Sequence, residues 1–200
     1  MTLANRITLL RVILAPAFFA LYSVPENCPI WAAISPVFMI VLLWVIFLAA
    51  EITDALDGMV ARKYNQSSDF GRLFDPFADT LVQITFFLCF MLAGIFPAFL
   101  FLIVVYREFG ILFVRNLMLR KGITMGARKS GKIKTIAYIV ACSTAMVYTS
   151  LIRLDILPFL HRIFEIGSVV VFAVSVVFSV ASFLDYVSVY RAAKKEESVT

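Results

Sequence analysis

Four aspartates in the first half of the chain are the residues best suited to chemistry. Asp54 and Asp57 are three positions apart, and Asp75 and Asp79 are four positions apart. Residues at these spacings share one face of a helix, and the loop between the two segments is short enough to make the helices antiparallel neighbours. We therefore expect the four carboxylates to converge.

The aspartate cluster predicts a site for a divalent metal and a diphosphate. Converging carboxylates repel one another and would take up protons unless a cation neutralises them. Oxygen ligands with no histidine or cysteine nearby favour Mg²⁺ or Mn²⁺, and metals held in this way commonly bind a diphosphate and its leaving group. The segment also carries small residues that admit a phosphate or nucleotide close to the backbone, and an arginine that could neutralise phosphate charge: Gly58, Ala61, Gly71 and Arg62.

The elements that must position these residues are membrane helices. The chain of 200 residues is 62% hydrophobic and 16% charged, whereas soluble domains average about 25% charged. Its apolar residues form blocks near the roughly 20 residues that a spanning helix needs. The blocks predict one all-α integral membrane domain over residues 1–200, with six transmembrane helices at Ile7–Ser23, Ile30–Ala50, Phe74–Leu92, Phe96–Leu119, Ile133–Leu151 and Phe164–Tyr190.

The basic residues predict the orientation of these helices. Only Arg153 and Arg162 fall on one side of the predicted membrane. The other side collects fourteen basic residues, which places both termini in the cytoplasm by the positive-inside rule: Arg6, Arg11, Arg62, Lys63, Arg72, Arg120, Lys121, Arg128, Lys129, Lys132, Lys134, Arg191, Lys194 and Lys195. The excess of positive charge is explained by two effects: it sets the membrane topology, and it attracts anionic lipid headgroups. No nucleic-acid partner is expected.

The spacing of the aspartates resembles a family signature. The pattern Asp-x₂-Asp-Gly-x₂-Ala-Arg-x₈-Gly-x₃-Asp-x₃-Asp is similar to that of the CDP-alcohol phosphatidyltransferases, and all eight positions are filled, by Asp54, Asp57, Gly58, Ala61, Arg62, Gly71, Asp75 and Asp79. An N-terminal stretch of the family is matched by Asn5, Thr8, Arg11 and Pro16. The segments Arg107-Glu108-Phe109, with Arg115, and Gly131 to Thr135 resemble the branch that makes phosphatidylglycerophosphate.

The resemblance implies an activity and a division of roles. The family transfers a phosphatidyl group from CDP-diacylglycerol to an alcohol and releases CMP. Asp54, Asp57 and Asp75 would hold the metals, and Asp79 would complete the metal site and act as general base. The nucleotide lipid would be bound by Asn5, Thr8, Asp54, Gly58, Ala61, Arg62 and Gly71. The resemblance also implies a homodimer. The orientation given by the basic residues puts the aspartates at the cytoplasmic ends of the second and third helices, so the active site is expected to face the cytoplasm from the inner cell membrane.

A second basic cluster indicates the acceptor. Glycerol 3-phosphate needs cations for its phosphate, and Arg107 and Arg115 lie eight residues apart in an apolar helix, where both cannot comfortably face lipid. The expected acceptor-phosphate site comprises Arg107, Arg115, Arg128, Lys132 and Lys134. Two alternatives to phosphate binding are open for Arg107 and Arg115. Their side chains could snorkel to the membrane interface, or one of them could form a structural ion pair with Glu108.

Other functions remain open at the level of sequence. Thr80 and Ala4 stand where the phosphatidylglycerophosphate branch commonly has Lys and Pro. Within the family the acceptor could instead be serine, inositol phosphate or another alcohol, and the paired cationic residues make inositol phosphate the main alternative. A membrane prenyltransferase would also bind a diphosphate through aspartates, although usually through two motifs far apart. A cation transporter would be expected to place its acids near the bilayer midplane and to show repeats.

Overall fold

The structure is a computed structural model that describes the backbone of residues 3–24, 34–64, 69–120 and 129–197, and the side chains of 8–24, 34–53, 71, 74–118 and 130–191. These ranges contain six α-helices and no strand, so the prediction of an all-α protein is confirmed. The helices are α1 (Leu3–Tyr22), α2 (Pro36–Tyr64), α3 (Asp69–Leu92), α4 (Ala98–Arg120), α5 (Lys129–Arg153) and α6 (Pro158–Glu197).

All six predicted helices are present, but their first residues differ from the predicted ones by two to six positions. Four helices end within two residues of the prediction, and the other two, α2 and α6, extend further. Helix α2 runs past Ala50 to Tyr64, so the backbone at Asp54 and Asp57 is helical, and α6 continues beyond Tyr190 to Glu197. Both α2 and α6 begin at a proline, Pro36 and Pro158, which lacks the amide hydrogen that the first helical position leaves unpaired.

Four of the helices are long and apolar enough to cross a membrane. These segments are Pro36–Thr53, Phe74–Leu92, Ser130–Arg153 and Pro158–Arg191. The apolar stretch of α1, Thr8–Tyr22, is shorter, and α4 carries three charged residues in its apolar sequence, Arg107, Glu108 and Arg115. Side chains such as Tyr106, Phe159 and Val177 are at least two-thirds exposed, as expected for a surface that faces lipid. The chain is a multi-pass membrane protein.

Aromatic rings fill the centre of the helix bundle. The rings of Phe18 and Phe86 pack edge to face with centroids 4.7 Å apart, and Phe47 joins them at 5.4 Å from Phe86. Phe96 and Phe172 stack at 3.9 Å. Such contacts add to the burial of apolar area, and they fix how α1, α2, α3 and α6 pack around the core.

Helix packing brings buried polar side chains together at one end of this core. Helix α1 packs against both α2 and α3, while α4 packs against α3 and α6, and α5 packs against α6. The buried charged or polar side chains include Thr8, Arg11, Thr80, Arg107 and Glu108, and the last four of these line one cavity. A buried charge must be paired or hydrogen-bonded, and the partners of these residues define the candidate site.

Candidate functional site

A polar cavity of about 240 Å³ lies among the helices, and each of the six contributes at least one lining residue. Cations outnumber acids five to three among the described lining residues, so the cavity is expected to attract anions. The cations are Arg11, Arg107, Arg115, Lys132 and Lys134, and the acids are Glu51, Asp79 and Glu108.

Two carboxylates of α3 are held by the first helix. Thr8 donates a hydrogen bond from Oγ1 to Oδ1 of Asp75, at 3.0 Å. One turn further along, Arg11 donates from Nη1 to Oδ1 of Asp79, at 2.8 Å. The side chain of Arg11 is 3% exposed, whereas that of Asp79 is 49% exposed. Asp79 is therefore held by a buried cation while about half of its side chain stays exposed.

The opposite wall contains an ion network centred on Glu108. Oε1 of Glu108 accepts hydrogen bonds from Nη1 of Arg107, at 2.9 Å, and from Nζ of Lys134, at 3.0 Å. Arg107 also donates from Nε to the carbonyl of Ser179 and from Nη2 to the hydroxyl of Ser182. Because these partners lie on α4, α5 and α6, the network ties three helices together.

Two other cavity cations are less engaged. Arg115 donates to the hydroxyl of Tyr186 at 3.3 Å and lies over its ring at 5.5 Å. Lys132 is exposed, and among the described residues it has no ion-pair partner. Gly131 and Lys132 belong to the first turn of α5, where the unpaired backbone amides and the helix dipole favour an anion. These groups can meet a phosphate without breaking an ion pair seen in the protein.

The structure brings together the predicted base and most of the predicted acceptor cations. Asp79, Arg107, Arg115, Lys132 and Lys134 line the same cavity. Of the remaining candidates, Gly71 is buried, and Thr8 and Asp75 are hydrogen-bonded to each other. The others lie outside the described part of the chain. They comprise the side chains of Asn5, Asp54, Asp57, Gly58, Ala61 and Arg62, and all of Arg128.

Sequence reasoning missed some cavity residues. Arg11 was grouped with the cytoplasmic topology charges, but it is buried against Asp79. Glu51, which was not among the predicted site residues, also lines the cavity, as do Thr80 and Gln83. The spacing of Thr8 and Arg11, three residues apart on α1, was the available signal, since it aligns both side chains with Asp75 and Asp79.

Comparison with known proteins gives the chain its family. The sequence profile of the family described as CDP-alcohol phosphatidyltransferase matches residues 1–181. The chain belongs to this family. The resemblance seen in the aspartate pattern is thereby confirmed, and this CDP-alcohol phosphatidyltransferase is an enzyme. Membership decides against the prenyltransferase and transporter alternatives, because the matched region covers almost the whole chain.

Individual relatives of this CDP-alcohol phosphatidyltransferase carry a more specific name. A CDP-diacylglycerol–glycerol-3-phosphate 3-phosphatidyltransferase from Treponema pallidum is 35% identical, over 95% of this chain and 89% of the relative. A protein with the same name from Bacillus subtilis is 30% identical, over 78% of this chain and 82% of the relative. A probable phosphatidylglycerophosphate synthase from Mycobacterium tuberculosis is 31% identical, over 93% and 80%.

Proposed function

We propose that this protein transfers a phosphatidyl group from CDP-diacylglycerol to glycerol 3-phosphate, giving phosphatidylglycerophosphate and CMP. The names of three relatives that align over most of both chains support this acceptor. The observation that carries the proposal is that Asp79 lines the same cavity as the cations suited to an acceptor phosphate. A phosphorylated acceptor matches the excess of cations over acids in the cavity lining better than serine, which carries no net charge.

Asp79 is proposed as the general base. The attacking hydroxyl oxygen of the acceptor forms a bond to the phosphatidyl phosphorus, the bond from that phosphorus to the CMP oxygen breaks, and the hydroxyl proton passes to Asp79. The contact with Arg11 favours the ionised carboxylate that can take up this proton. The exposed part of the Asp79 side chain allows the hydroxyl to approach it from the cavity.

We also propose that the aspartate cluster holds Mg²⁺ or Mn²⁺. The described part of the cluster contributes two donors to such a site: Asp75 and Asp79 offer hard oxygen atoms on consecutive turns of α3, whereas the described residues by themselves contain no group of three potential metal ligands. A carboxylate has about four lone-pair sites, so one hydrogen bond to Thr8 or Arg11 does not exhaust it. When bound, the ion would neutralise charge on the diphosphate and improve CMP as a leaving group. Asp54 and Asp57, which share the family pattern, are the proposed additional ligands.

A panel of acceptors tests the proposed function. The purified protein with CDP-diacylglycerol and Mg²⁺ is expected to release CMP with glycerol 3-phosphate, and to release far less with serine or inositol phosphate at equal concentration. Labelled acceptor should appear in a lipid product identified as phosphatidylglycerophosphate. A larger yield with inositol phosphate would reassign the acceptor while leaving the transfer chemistry in place.

Arg115 and Lys132 are proposed to bind the phosphate of the acceptor. Arg115→Ala is expected to raise the apparent KM for glycerol 3-phosphate by about 10–100-fold, since a charge-assisted hydrogen bond contributes about 1.5–3 kcal/mol. Lys132→Ala should raise it less, because an exposed lysine remains partly solvated. The apparent KM for CDP-diacylglycerol should stay close to that of the unaltered protein in both variants, as measured by CMP release.

Arg162→Ala is the matched control for these variants. Arg162 is a cation of the same chain, but its side chain is 75% exposed and pairs with Glu165, away from the cavity. The Arg162→Ala substitution should leave the apparent KM values for glycerol 3-phosphate and for CDP-diacylglycerol unchanged. If Arg115→Ala raised both KM values equally, Arg115 would serve the nucleotide site or the fold rather than the acceptor.

We further propose that the protein spans the inner cell membrane with both termini and the cavity on the cytoplasmic side. The basic residues support this, because Lys132 and Lys134 lie near the start of α5 and Arg153 lies at its end. Reporter fusions after Arg120 and after Pro158 should report opposite sides of the membrane, and the same side for both would contradict the orientation. The homodimer implied by the family remains a prediction, which cross-linking in native membranes can test.

A further inference from the structure

The cavity contains a carboxylate that the proposed reaction does not use directly. Glu108 lines the cavity, but its side chain is 5% exposed and its carboxylate is engaged by Arg107 and Lys134. We propose that Glu108 is a positioning residue for the acceptor: it holds Lys134 and Arg107 on the wall of the cavity and keeps Lys134 away from Asp79. This inference rests on the proposed function.

The two cations differ in how firmly they are held without Glu108. Arg107 has two further anchors on α6, the carbonyl of Ser179 at 3.0 Å and the hydroxyl of Ser182 at 3.2 Å. Lys134 has Glu108 as its carboxylate partner at 3.0 Å and lies over the ring of Tyr138 at 4.4 Å. Lysine also has a flexible stem of four carbons. If the charge of Glu108 were removed, Lys134 is therefore the cation that would move.

The direction of that movement follows from the charges around the cavity. Without the carboxylate of Glu108, two cations would repel each other in a largely buried site. The other acids that line the cavity are Glu51 and Asp79, and both would attract the released ammonium. A lysine paired with Asp79 would occupy the space of the acceptor and would compete for the carboxylate proposed to take its proton.

Glu108→Gln tests this role because it removes the charge with little change in shape. The apparent KM for glycerol 3-phosphate is expected to rise by about 10–100-fold, with a fall in kcat, while the apparent KM for CDP-diacylglycerol stays within about twofold. Glu108→Asp keeps the charge on a shorter stem and should recover part of the loss. Glu165→Gln is the matched control, since it breaks the exposed pair with Arg162 and should change neither KM.

The decisive measurement is the double variant Glu108→Gln with Lys134→Gln. If Glu108 acts by restraining Lys134, removal of the released ammonium should bring the apparent KM for glycerol 3-phosphate below that of Glu108→Gln alone, so the two substitutions would be strongly non-additive. A role confined to stabilising the fold predicts a second loss instead. Additive effects, or equal damage to both substrates in Glu108→Gln, would overturn the proposal.

The outcomes also separate this inference from the proposed function. The unaltered protein must release CMP in response to glycerol 3-phosphate, and if it does not, the proposed function fails whatever the variants do. If it does, and Glu108→Gln behaves like the unaltered protein, only the positioning role fails. If Glu108→Gln does not fold, Glu108→Asp is compared with the double variant instead. The proposal expects both of these proteins to fold and to bind glycerol 3-phosphate. A purely structural role of Glu108 expects the double variant to fail to fold as well.

Discussion

Asp79→Asn is expected to lower the rate of CMP release by about 10²–10⁴-fold, the usual loss when a general acid or base is removed. Asparagine has the shape of aspartate and can still accept a hydrogen bond from Arg11, so the contact between α1 and α3 should survive. The asparagine side chain, however, cannot take up the proton of the acceptor hydroxyl. The turnover number of the variant, measured at saturating concentrations of both substrates, tests this expectation.

The affinity for CDP-diacylglycerol distinguishes a base from a metal ligand at this position. If Asp79 acts as the base, binding of the nucleotide lipid should be weakened far less than turnover. If it acts chiefly as a fourth metal ligand, binding should fall in step with turnover. Asp155→Asn is the matched control: Asp155 is exposed in the turn between α5 and α6 with a φ of 48°, a conformation that asparagine adopts readily, so activity should not change.

Removal of divalent metal is expected to abolish CMP release altogether. The reason is that several carboxylates repel a diphosphate unless a cation lies between them, and the proposed ion supplies that charge. Treatment with a chelator should stop the reaction, and Mg²⁺ or Mn²⁺ should restore it. Full activity in excess chelator would exclude the proposed metal site.

Variants of the aspartates connect this loss to particular residues. Asp57→Asn and Asp75→Asn should raise the concentration of Mg²⁺ needed for half-maximal activity, and Mn²⁺ binding followed by electron paramagnetic resonance should weaken in parallel. For Asp75 the hydrogen bond from Thr8 can be retained by asparagine, which isolates the effect of charge. Asp155→Asn serves again as the control, and an unchanged metal requirement in Asp75→Asn would remove that residue from the ligand set.

The sequence by itself determined the family and the helical character of the fold. Apolar blocks of about 20 residues admit little except membrane helices, and the blocks gave all six helices of the described chain. Asp54, Asp57, Asp75 and Asp79 stand at a spacing so specific that it indicated the family, which the match over residues 1–181 confirmed. Local pattern was sufficient for these conclusions, since each depends on residues close together in the chain.

Tertiary structure decided which of the charged residues work together. Arg11 and Asp79 are 68 positions apart in the sequence, and Arg107 and Ser182 are 75 apart, so no local pattern could pair them. Positive charge on one side of the membrane made Arg11 look like a topology signal, and the sequence did not show that Lys134, a predicted phosphate ligand, pairs with Glu108. Packing of α1 on α3, and of α4 and α5 on α6, buried these cations, and a buried charge must be paired or hydrogen-bonded. Arg11 is thereby placed beside Asp79 and Lys134 beside Glu108, whereas Lys132, at the exposed start of α5, keeps its charge available to a substrate.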